Sequence, residues 1–397
     1  MKIFVIDDEP FTLRLVGHQL RALGHTEVTT HAHAALAVQA LEQDPAVADV
    51  ILLDLQMPEM DGVEFVRHLA RLRFSGAIIL VSGEDERIVQ TASRLATAHA
   101  LNVLGALNKP VQPEELRRLL DATLAPKAPP RPVGKLYGPA ELAAAIAGGQ
   151  MVNHYQPKVQ LATGLVVGVE TLVRWQHPTD GLVFPEQFIS VAEEHQLIDA
   201  LTRTVLTEAL QQARRWLDGG ATIAVAVNVS MDNLSSLDFP DVVDRAIRAA
   251  GVSNKQIMLE VTEGRLMTDA VLALDTLTRL RLKQIGLSID DFGTGNSTMT
   301  QLRNIPFVEL KIDRSFVHGA DRDIASRAIV DASLAMARRL GLQSVAEGVE
   351  VLTDWHQMRA MGCDIAQGFF IARPMPADQF DAWLTGWNEH RSALIQG

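Results

Sequence analysis

Short apolar runs alternate with longer stretches of 3.6-residue hydrophobic period over residues 1–124. Bounded apolar runs predict β-strands, and the periodic stretches between them, such as Phe11–Leu23 and Glu64–Leu72, predict amphipathic helices. The five predicted strands are Lys2–Asp7, Glu27–His31, Asp49–Leu55, Ala77–Gly83 and Val103–Leu107. Strands that alternate with helices are typical of α/β domains, so we predict a doubly wound five-stranded parallel sheet.

The alternation of predicted strands and helices resumes near residue 137, and a helical pattern over Ala140–Ala147 precedes the first of these strands. Eight strands are predicted there: Val152–Val159, Val166–Trp175, Thr222–Ser230, Gln256–Glu263, Gly286–Phe292, Phe307–Asp313, Gln343–Val349 and Asp364–Phe370. Eight strand–helix units in about 260 residues predict a TIM-type (β/α)8 barrel. The connection Leu161–Gly164 is too short for a parallel crossover, so we predict a modified barrel with one antiparallel strand.

A proline-rich segment separates the two patterns. Four prolines fall within residues 126–132, and they favour an extended spacer because proline cannot continue a helix. We therefore predict a linker at 125–136, between one domain at 1–124 and another at 137–397.

Composition and charge narrow the possible functions. Of 397 residues, 47% are hydrophobic and 21% are charged, which is typical of a soluble globular protein. The net charge of −12 argues against binding DNA, which needs a basic surface. Cys363 is the single cysteine, so an intramolecular disulfide and a thiolate zinc site are excluded. Apolar runs too short for a signal peptide or a membrane span indicate a cytoplasmic protein without a membrane partner.

Polar side chains stand at the carboxyl ends of strands predicted in the first domain, where ligands bind in such folds. They are Asp7, Asp8, Asp54, Ser82 and Lys109. The carboxylates would form an oxygen-only Mg²⁺ site, and the lysine and hydroxyl could hold phosphoryl oxygens. Asp54 could then act as a nucleophile and carry an aspartyl phosphate. The competing interpretation is that acidic residues only cap the strand ends.

These residues, with the segment Asp54–Gly62 and the pair Lys109–Pro110, resemble the receiver domain of two-component response regulators. The resemblance covers residues 1–124 and implies a flavodoxin-like fold in which a cognate sensor histidine kinase phosphorylates Asp54. It further implies that Asp7 and Asp8 hold Mg²⁺, that Ser82 and Lys109 contact the phosphoryl group, and that Lys109–Pro110 is a cis peptide. The chain departs from the family at Ala106, where receivers usually carry a switching aromatic residue.

Polar residues also recur late in the strands of the predicted barrel, at the face where such folds place their chemistry. They are Glu170, Asn228, Glu260, Asp290, Asp291, Lys311, Glu347 and Gln367. Below them we expect an apolar interior, as the run Ile223–Val227 indicates. Crowded carboxylates repel one another unless cations lie between them, and oxygen donors favour Mg²⁺ or Mn²⁺ over zinc. Two such ions are the usual arrangement for phosphodiester hydrolysis; separate salt bridges at the rim are the competing interpretation.

Lys311 allows two chemical interpretations. An isolated barrel lysine could form a Schiff base, which requires a depressed pKa. A lysine surrounded by carboxylates should instead keep its proton, because nearby negative charge raises its pKa. The second interpretation, a charged lysine that orients the attacking water or assists proton transfer, is favoured.

The motifs around these residues resemble the EAL-domain cyclic-di-GMP phosphodiesterases. The matching segments are Glu170–Trp175, Asn228–Ser230, Glu260–Glu263, Asp290–Gly295, Lys311–Asp313, Glu347–Glu350 and Gln367–Phe369. The resemblance runs from about residue 137 to the C-terminus. It implies hydrolysis of one phosphodiester bond of cyclic di-GMP to give linear pGpG, in a dimer or larger homo-oligomer.

The resemblance also implies individual roles. The metal ligands would be Glu170, Asn228, Glu260, Asp290, Asp291 and Glu347, and the catalytic set would be Lys311, acting at the water, with Glu170, Asp290 and Asp291. Gln156, Arg174, Glu350 and Gln367 are expected near the substrate or behind the ligands, and Glu263 would anchor the loop after the fifth strand.

Two departures from the EAL pattern are visible. Thr171 replaces the middle alanine of the name-giving tripeptide, and we expect it to point away from the site because neighbours on a strand face opposite sides. Asn296 stands where many relatives carry an aromatic residue, in a glycine-rich loop that could move.

The leading hypothesis is a cyclic-di-GMP phosphodiesterase whose activity is modulated by phosphorylation of Asp54. The alternatives are a non-catalytic sensor that binds cyclic di-GMP and a phosphodiesterase of related specificity, for example for pGpG. Degenerate sensors of this kind lose ligands of the metal ring, whereas this chain retains all of them, which favours the enzyme.

Overall fold

The computed structural model describes residues 1–44, 46–83, 86–99, 101–124, 135, 137–262, 270–294, 302 and 305–396. The chain divides into two compact units, Met1–Val133 and Gly134–Gly397. The predicted linker at 125–136 lies almost wholly outside the described residues and stays a prediction.

In its described residues, the N-terminal unit holds one parallel sheet of five strands in the order β2-β1-β3-β4-β5. The strands are β1 (Ile3–Ile6), β2 (Val28–His31), β3 (Val50–Asp54), β4 (Ala77–Ser82) and β5 (Asn102–Asn108). The helices are Pro10–Ala22, Ala34–Gln43, Gly62–Arg71, Glu86–Ala98 and Pro113–Leu124. The predicted doubly wound fold is confirmed.

Alternate residues of the central strands fill two separate hydrophobic layers. Ile51 and Leu53 of β3 pack on one face of the sheet, whereas Val50 and Leu52 pack on the other. Helices therefore cover both faces, which explains why the strands read as continuous apolar runs. The carboxyl ends of β1, β3, β4 and β5 meet at one edge of this sheet, as parallel pairing requires.

The second unit is a closed barrel with two short strands added at its margin. Its strands are β6 (Met151–Gln160), β7 (Val166–His177), β8 (Gly181–Val183), β9 (Ala224–Asn228), β10 (Ile257–Thr262), β11 (Gly286–Phe292), β12 (Glu309–Ile312), β13 (Gln343–Ala346), β14 (Ile365–Ala366) and β15 (Met375–Pro376). The order is β15-β6-β14-β13-β12-β11-β10-β9-β7-β8, and an additional pairing of β6 with β7 closes the ring. The predicted antiparallel strand is confirmed, because β6 runs antiparallel to both β7 and β14.

Helices cover the outside of the barrel. They are Pro139–Ala147, Ile189–Glu194, Ile198–Asp218, Met231–Leu234, Phe239–Ala250, Ala270–Leu282, Arg314–Val317, Ile324–Leu340, Leu352–Ala360 and Ala377–Gln396, with 3-10 turns at Pro185–Gln187 and Asn254–Gln256. In the part of the chain that the structure describes, no helix is long and apolar enough to cross a membrane.

The hydrophobic core of this unit lies between barrel and helices, not inside the barrel. Val225 and Val227 of β9 belong to the outer layer, as do Leu259 and Val261 of β10. The residues between them face inward, where Glu260 pairs with Ser288 and Ser288 with Glu309. The expectation of an apolar barrel interior is therefore wrong in part: these polar side chains share the interior with Val345, which pairs with Lys311, and with Ile365, which pairs with Val345.

Candidate functional site

The N-terminal unit brings its polar strand ends together. The Lys109 ammonium lies 2.8 Å from a carboxylate oxygen of Asp7 and 2.8 Å from one of Asp54. Both aspartates are 2% exposed, whereas Asp8 is open to solvent. One carboxylate oxygen from each of Asp7, Asp8 and Asp54 lies within 4.8 Å of the others, so the three can share one cation.

Charge and backbone hydrogen bonds hold this cluster in place. The backbone N–H of Glu9 donates to Asp7 at 2.9 Å, and that of Gln56 donates to Asp54 at 3.2 Å. Burial raises the pKa of Asp7 in spite of its contact with Lys109. The pKa of Lys109 is raised because its hydrogen bonds to Asp54 and Asp7 outweigh the effect of its burial.

The remaining receiver residues lie as the sequence predicted. Ser82 is fully buried at the end of β4, and its carbonyl accepts from the backbone N–H of Lys109 at 2.9 Å. The peptide between Lys109 and Pro110 is cis. Ala106 pairs with Leu80 on β5 and is exposed.

Lys311 stands at the centre of the second cluster, inside the barrel, and its side chain is 0% exposed. Its Nζ contacts four carboxylates: Glu347 at 2.7 Å, Glu260 at 3.0 Å, Asp290 at 3.0 Å and Glu170 at 3.5 Å. Burial alone would lower the pKa of Lys311, but these carboxylates raise it well above its ordinary value. An amine that keeps its proton cannot attack a carbonyl, so the geometry opposes the Schiff-base interpretation.

The amide side chains fix the orientation of Glu170. Asn228 Nδ2 donates to Glu170 Oε1 at 3.0 Å, and Gln367 Nε2 donates to Glu170 Oε2 at 2.6 Å. Gln367 also donates to Gln156 Oε1 at 3.0 Å, and Gln156 in turn donates to the carbonyl of Ala372 at 3.0 Å. Side chains from β6 and β9 and from the residue that follows β14 therefore orient one carboxylate on β7.

A local irregularity of β11 brings two successive aspartates into the same cluster. Neighbours on a regular strand face opposite sides, but the register of β11 against β12 shifts between Ile289 and Phe292. Asp291 adopts a left-handed backbone with φ of 55°. Carboxylate oxygens of Asp290, Asp291 and Glu347 consequently lie within 4.8 Å of one another.

The charge of this cluster suits divalent cations. Burial and neighbouring carboxylates raise the pKa of Glu347 to about 8 and that of Asp291 to about 6, although Lys311 opposes both shifts. Because Glu347 and Asp291 take up protons at unusually high pH, the ammonium of Lys311 does not balance the negative charge of the carboxylate cluster. Oxygen donors at this spacing fit Mg²⁺ or Mn²⁺, and the single cysteine of the chain, Cys363, lies outside the cluster.

A cleft opens beside the carboxylate cluster. Its lining includes Gln156, Glu170, Leu172, Arg314, Glu347, Gly348, Glu350, Gln367, Gly368 and Phe369. Arg314 adds a positive charge and Phe369 is 48% exposed, so the cleft offers contacts for both an anion and a flat ring. Neither residue was predicted, because each lies just beyond a predicted strand or at its end.

Four further residues singled out in the sequence have different outcomes. Thr171 pairs with Tyr155 and Val227, which both belong to the outer hydrophobic layer, so it faces away from Glu170 as expected. Arg174 is buried, stacks over Phe184 at 5.0 Å and donates to the carbonyl of Val173. Burial lowers the pKa of Arg174 and the charges of Glu186 and Glu170 oppose this shift, so Glu170 lies within its electrostatic reach. Glu263 and Asn296 lie outside the described residues.

Sequence reasoning missed a buried pair below the cluster. Lys158 Nζ contacts Glu260 Oε1 at 2.6 Å and Glu309 Oε1 at 2.9 Å. The alternation of side chains along a strand could have identified this pair. Lys158 lies two residues from Gln156, and Glu309 lies two residues from Lys311, so each shares the face of a predicted site residue. The assumption of an apolar interior concealed it.

Comparison with known proteins gives two family matches. Residues 140–374 match the EAL domain, and residues 3–121 match the response regulator receiver domain. The cyclic di-GMP phosphodiesterase RocR of Pseudomonas aeruginosa is 32% identical over 389 residues, which cover 97% of this chain and 99% of RocR.

Other similar proteins match a smaller share of this chain. The bifunctional diguanylate cyclase/cyclic di-GMP phosphodiesterase MucR of the same organism is 43% identical over 240 residues, or 60% of this chain and 35% of MucR. The solved c-di-GMP complex of the PaMucR phosphodiesterase is 42% identical, with a TM-score of 0.58, over 61% of this chain and 98% of that structure. The chain thus spans nearly all of RocR and about a third of MucR.

Proposed function

The chain belongs to the EAL-domain family and carries a response regulator receiver domain, and from that membership we propose that it hydrolyses cyclic di-GMP to linear pGpG. The observation that carries the proposal is the completeness of the barrel cluster. All six predicted metal ligands are retained, and four of their five carboxylates contact one buried lysine. RocR, which matches along nearly its full length, is named for this activity.

We assign the metal ligands to Glu170, Asn228, Glu260, Asp290, Asp291 and Glu347. Divalent cations bound there, two in our proposal, would supply positive charge to the phosphodiester and to the attacking water. The chain itself contributes orientation, because Asn228 and Gln367 each donate a hydrogen bond to one oxygen of Glu170. Such preorganisation is the main contribution of a protein to phosphoryl chemistry.

Lys311 is assigned to the attacking water. Its charge persists at neutral pH because four carboxylates surround it. Its three N–H donors face these carboxylates, and one would turn to a water oxygen when cations take up the carboxylate oxygens. In the reaction, that oxygen bonds to phosphorus while one ester oxygen leaves as a hydroxyl. Arg314 and Phe369 in the adjacent cleft are placed to contact a phosphate and a base.

Incubation of the purified chain with cyclic di-GMP and Mg²⁺ or Mn²⁺, followed by chromatography of the nucleotides, tests the proposal. We expect cyclic di-GMP to be consumed and pGpG to accumulate. Binding of cyclic di-GMP without any pGpG would identify a sensor instead of an enzyme. Cleavage of added pGpG while cyclic di-GMP stays intact would assign the related specificity.

We also propose that the receiver unit regulates the barrel through an aspartyl phosphate on Asp54, delivered by a sensor histidine kinase. Two contacts support this proposal: Lys109 lies 2.8 Å from both Asp7 and Asp54, and both aspartates belong to the group that can hold one cation. A phosphoryl group on Asp54 would then have a cation and an ammonium beside its oxygens. RocR also combines both units in one chain, since its match covers 97% of this chain and 99% of RocR.

A further inference from the structure

A second ion-pair layer lies inside the barrel beneath the proposed metal ligands. It consists of Lys158 and Glu309, which meet at 2.9 Å with side-chain exposures of 5% and 4%. Lys158 comes from β6, the antiparallel strand, and the residue paired with it on β7 is Gly168. An added Cβ on Gly168 would lie 2.9 Å from the carbonyl oxygen of Ala224 on β9, so the backbones of β7 and β9 pack closely at this level of the barrel.

Glu260 connects the two layers. Its Oε1 lies 2.6 Å from Lys158 Nζ, and its Oε2 lies 3.0 Å from Lys311 Nζ. One oxygen is therefore tied to the layer below, and the other faces the carboxylate cluster. The side chain of Glu260 is 0% exposed, so no solvent water competes for the anchored oxygen.

We propose that Lys158 is a positioning residue, which holds one oxygen of Glu260 so that the other is presented to a divalent cation. The inference rests on the proposed function, in which Glu260 is a metal ligand. Partners that orient a ligating carboxylate from behind influence metal affinity about 10- to 100-fold. Glu309 would keep the Lys158 ammonium in place without touching the cluster itself.

If the metal affinity depended only on the charge near the site, the variants would change it in the opposite direction. Removing the positive charge of Lys158 near a cation site should strengthen metal binding, and removing the negative charge of Glu309 should weaken it. Positioning predicts weaker binding for Lys158→Met and nearly unchanged binding for Glu309→Gln. The double variant Lys158→Met/Glu309→Gln leaves the net charge unchanged and still lacks the anchor, so positioning again predicts weaker binding.

The test measures Mn²⁺ affinity by calorimetry and electron paramagnetic resonance in the full-length chain without nucleotide. All variants carry Asp7→Asn and Asp8→Asn, so that the signal reports on the barrel. Circular dichroism and thermal unfolding verify the fold. We expect affinity to fall about 10- to 100-fold in both Lys158 variants and to change less than about threefold in Glu309→Gln.

Unchanged or tighter Mn²⁺ binding in a folded Lys158 variant would overturn the inference. Loss of the fold in both Lys158 variants would overturn it too, because Lys158 would then be a purely structural ion pair. A parent protein that binds no Mn²⁺ in the barrel would instead contradict the proposed metal-dependent function, whatever the variants do.

Discussion

At the scale of single residues, the position of a polar side chain on its strand carried most of the predictive information. Glu170, Glu260 and Lys311 were predicted because each interrupts an otherwise apolar strand near its end. Lys158 was missed because the barrel interior was expected to be apolar, although its strand parity matches that of Gln156. The sequence thus predicted the residues of the carboxylate cluster, whereas the ion pair beneath it, Lys158 with Glu309, became visible only in the structure.

Removal of a proposed metal ligand should abolish turnover. Asp290→Ala and Glu170→Ala each take one oxygen donor from the cluster, so we expect pGpG formation to fall below detection in a steady-state assay with saturating Mg²⁺. Asp381→Ala, an exposed aspartate on the helix Ala377–Gln396, is the matched control and should retain the parent rate. Parent rates in either ligand variant would refute the assignment.

Substitution of Lys311 should separate turnover from binding. Lys311→Met removes the ammonium that we assign to the attacking water, so kcat should fall by at least about 100-fold. KM should change by less than about threefold, because the cation-binding carboxylates remain. Steady-state kinetics measure both constants, and a variant in which KM rises while kcat holds would place Lys311 in substrate binding instead.

At the scale of elements, all thirteen predicted strands exist, but the last one is far shorter than predicted. β14 ends at Ala366 although the apolar run continues through Phe369, Phe370 and Ile371. The chain turns at Gly368, where an added Cβ would lie 2.2 Å from the carbonyl oxygen of Val349. Hydrophobicity alone predicts a strand there, because close packing of two backbones leaves no trace in a hydrophobic pattern.

A substitution at Gly348 tests how closely the chain after β13 packs against Arg314 beside the cleft. Its φ is +64°, and an added Cβ would lie 2.3 Å from Cβ of Arg314. We expect Gly348→Ala to lower the free energy of unfolding by more than about 1 kcal/mol and to reduce activity, because both residues line the cleft.

The control is Gly386→Ala, within the helix Ala377–Gln396, where an added Cβ would meet nothing within 4 Å. That change should leave activity intact and slightly raise stability, since alanine favours helix. Chemical denaturation measures both variants, and equal stabilities would show that the Gly348 contact is unimportant.

At the scale of the whole molecule, the chain joins a receiver unit to an EAL unit, and part of its excess negative charge is concentrated at one site in each unit. Carboxylates gather at the strand ends of both units, each within reach of a lysine. Acidity therefore argues against nucleic acid polymers but not against a small phosphate ligand bound through cations.

Phosphorylation of Asp54 should change the rate of the barrel. Beryllium fluoride with Mg²⁺ mimics the aspartyl phosphate, so adding it should alter kcat for cyclic di-GMP in the parent chain. Asp54→Asn cannot form the adduct and serves as the control. Equal rates with and without the mimic in the parent chain would count against coupling between the units.

The most direct measurement is the rate of pGpG formation in chelator-treated protein as Mg²⁺ or Mn²⁺ is added back. Without divalent cation the carboxylates of the barrel cannot engage the phosphodiester, so we expect no turnover above background. Activity should return with rising metal concentration and saturate. Full activity in the presence of chelator, or no pGpG at any concentration of either metal, would contradict a metal-dependent cyclic-di-GMP phosphodiesterase.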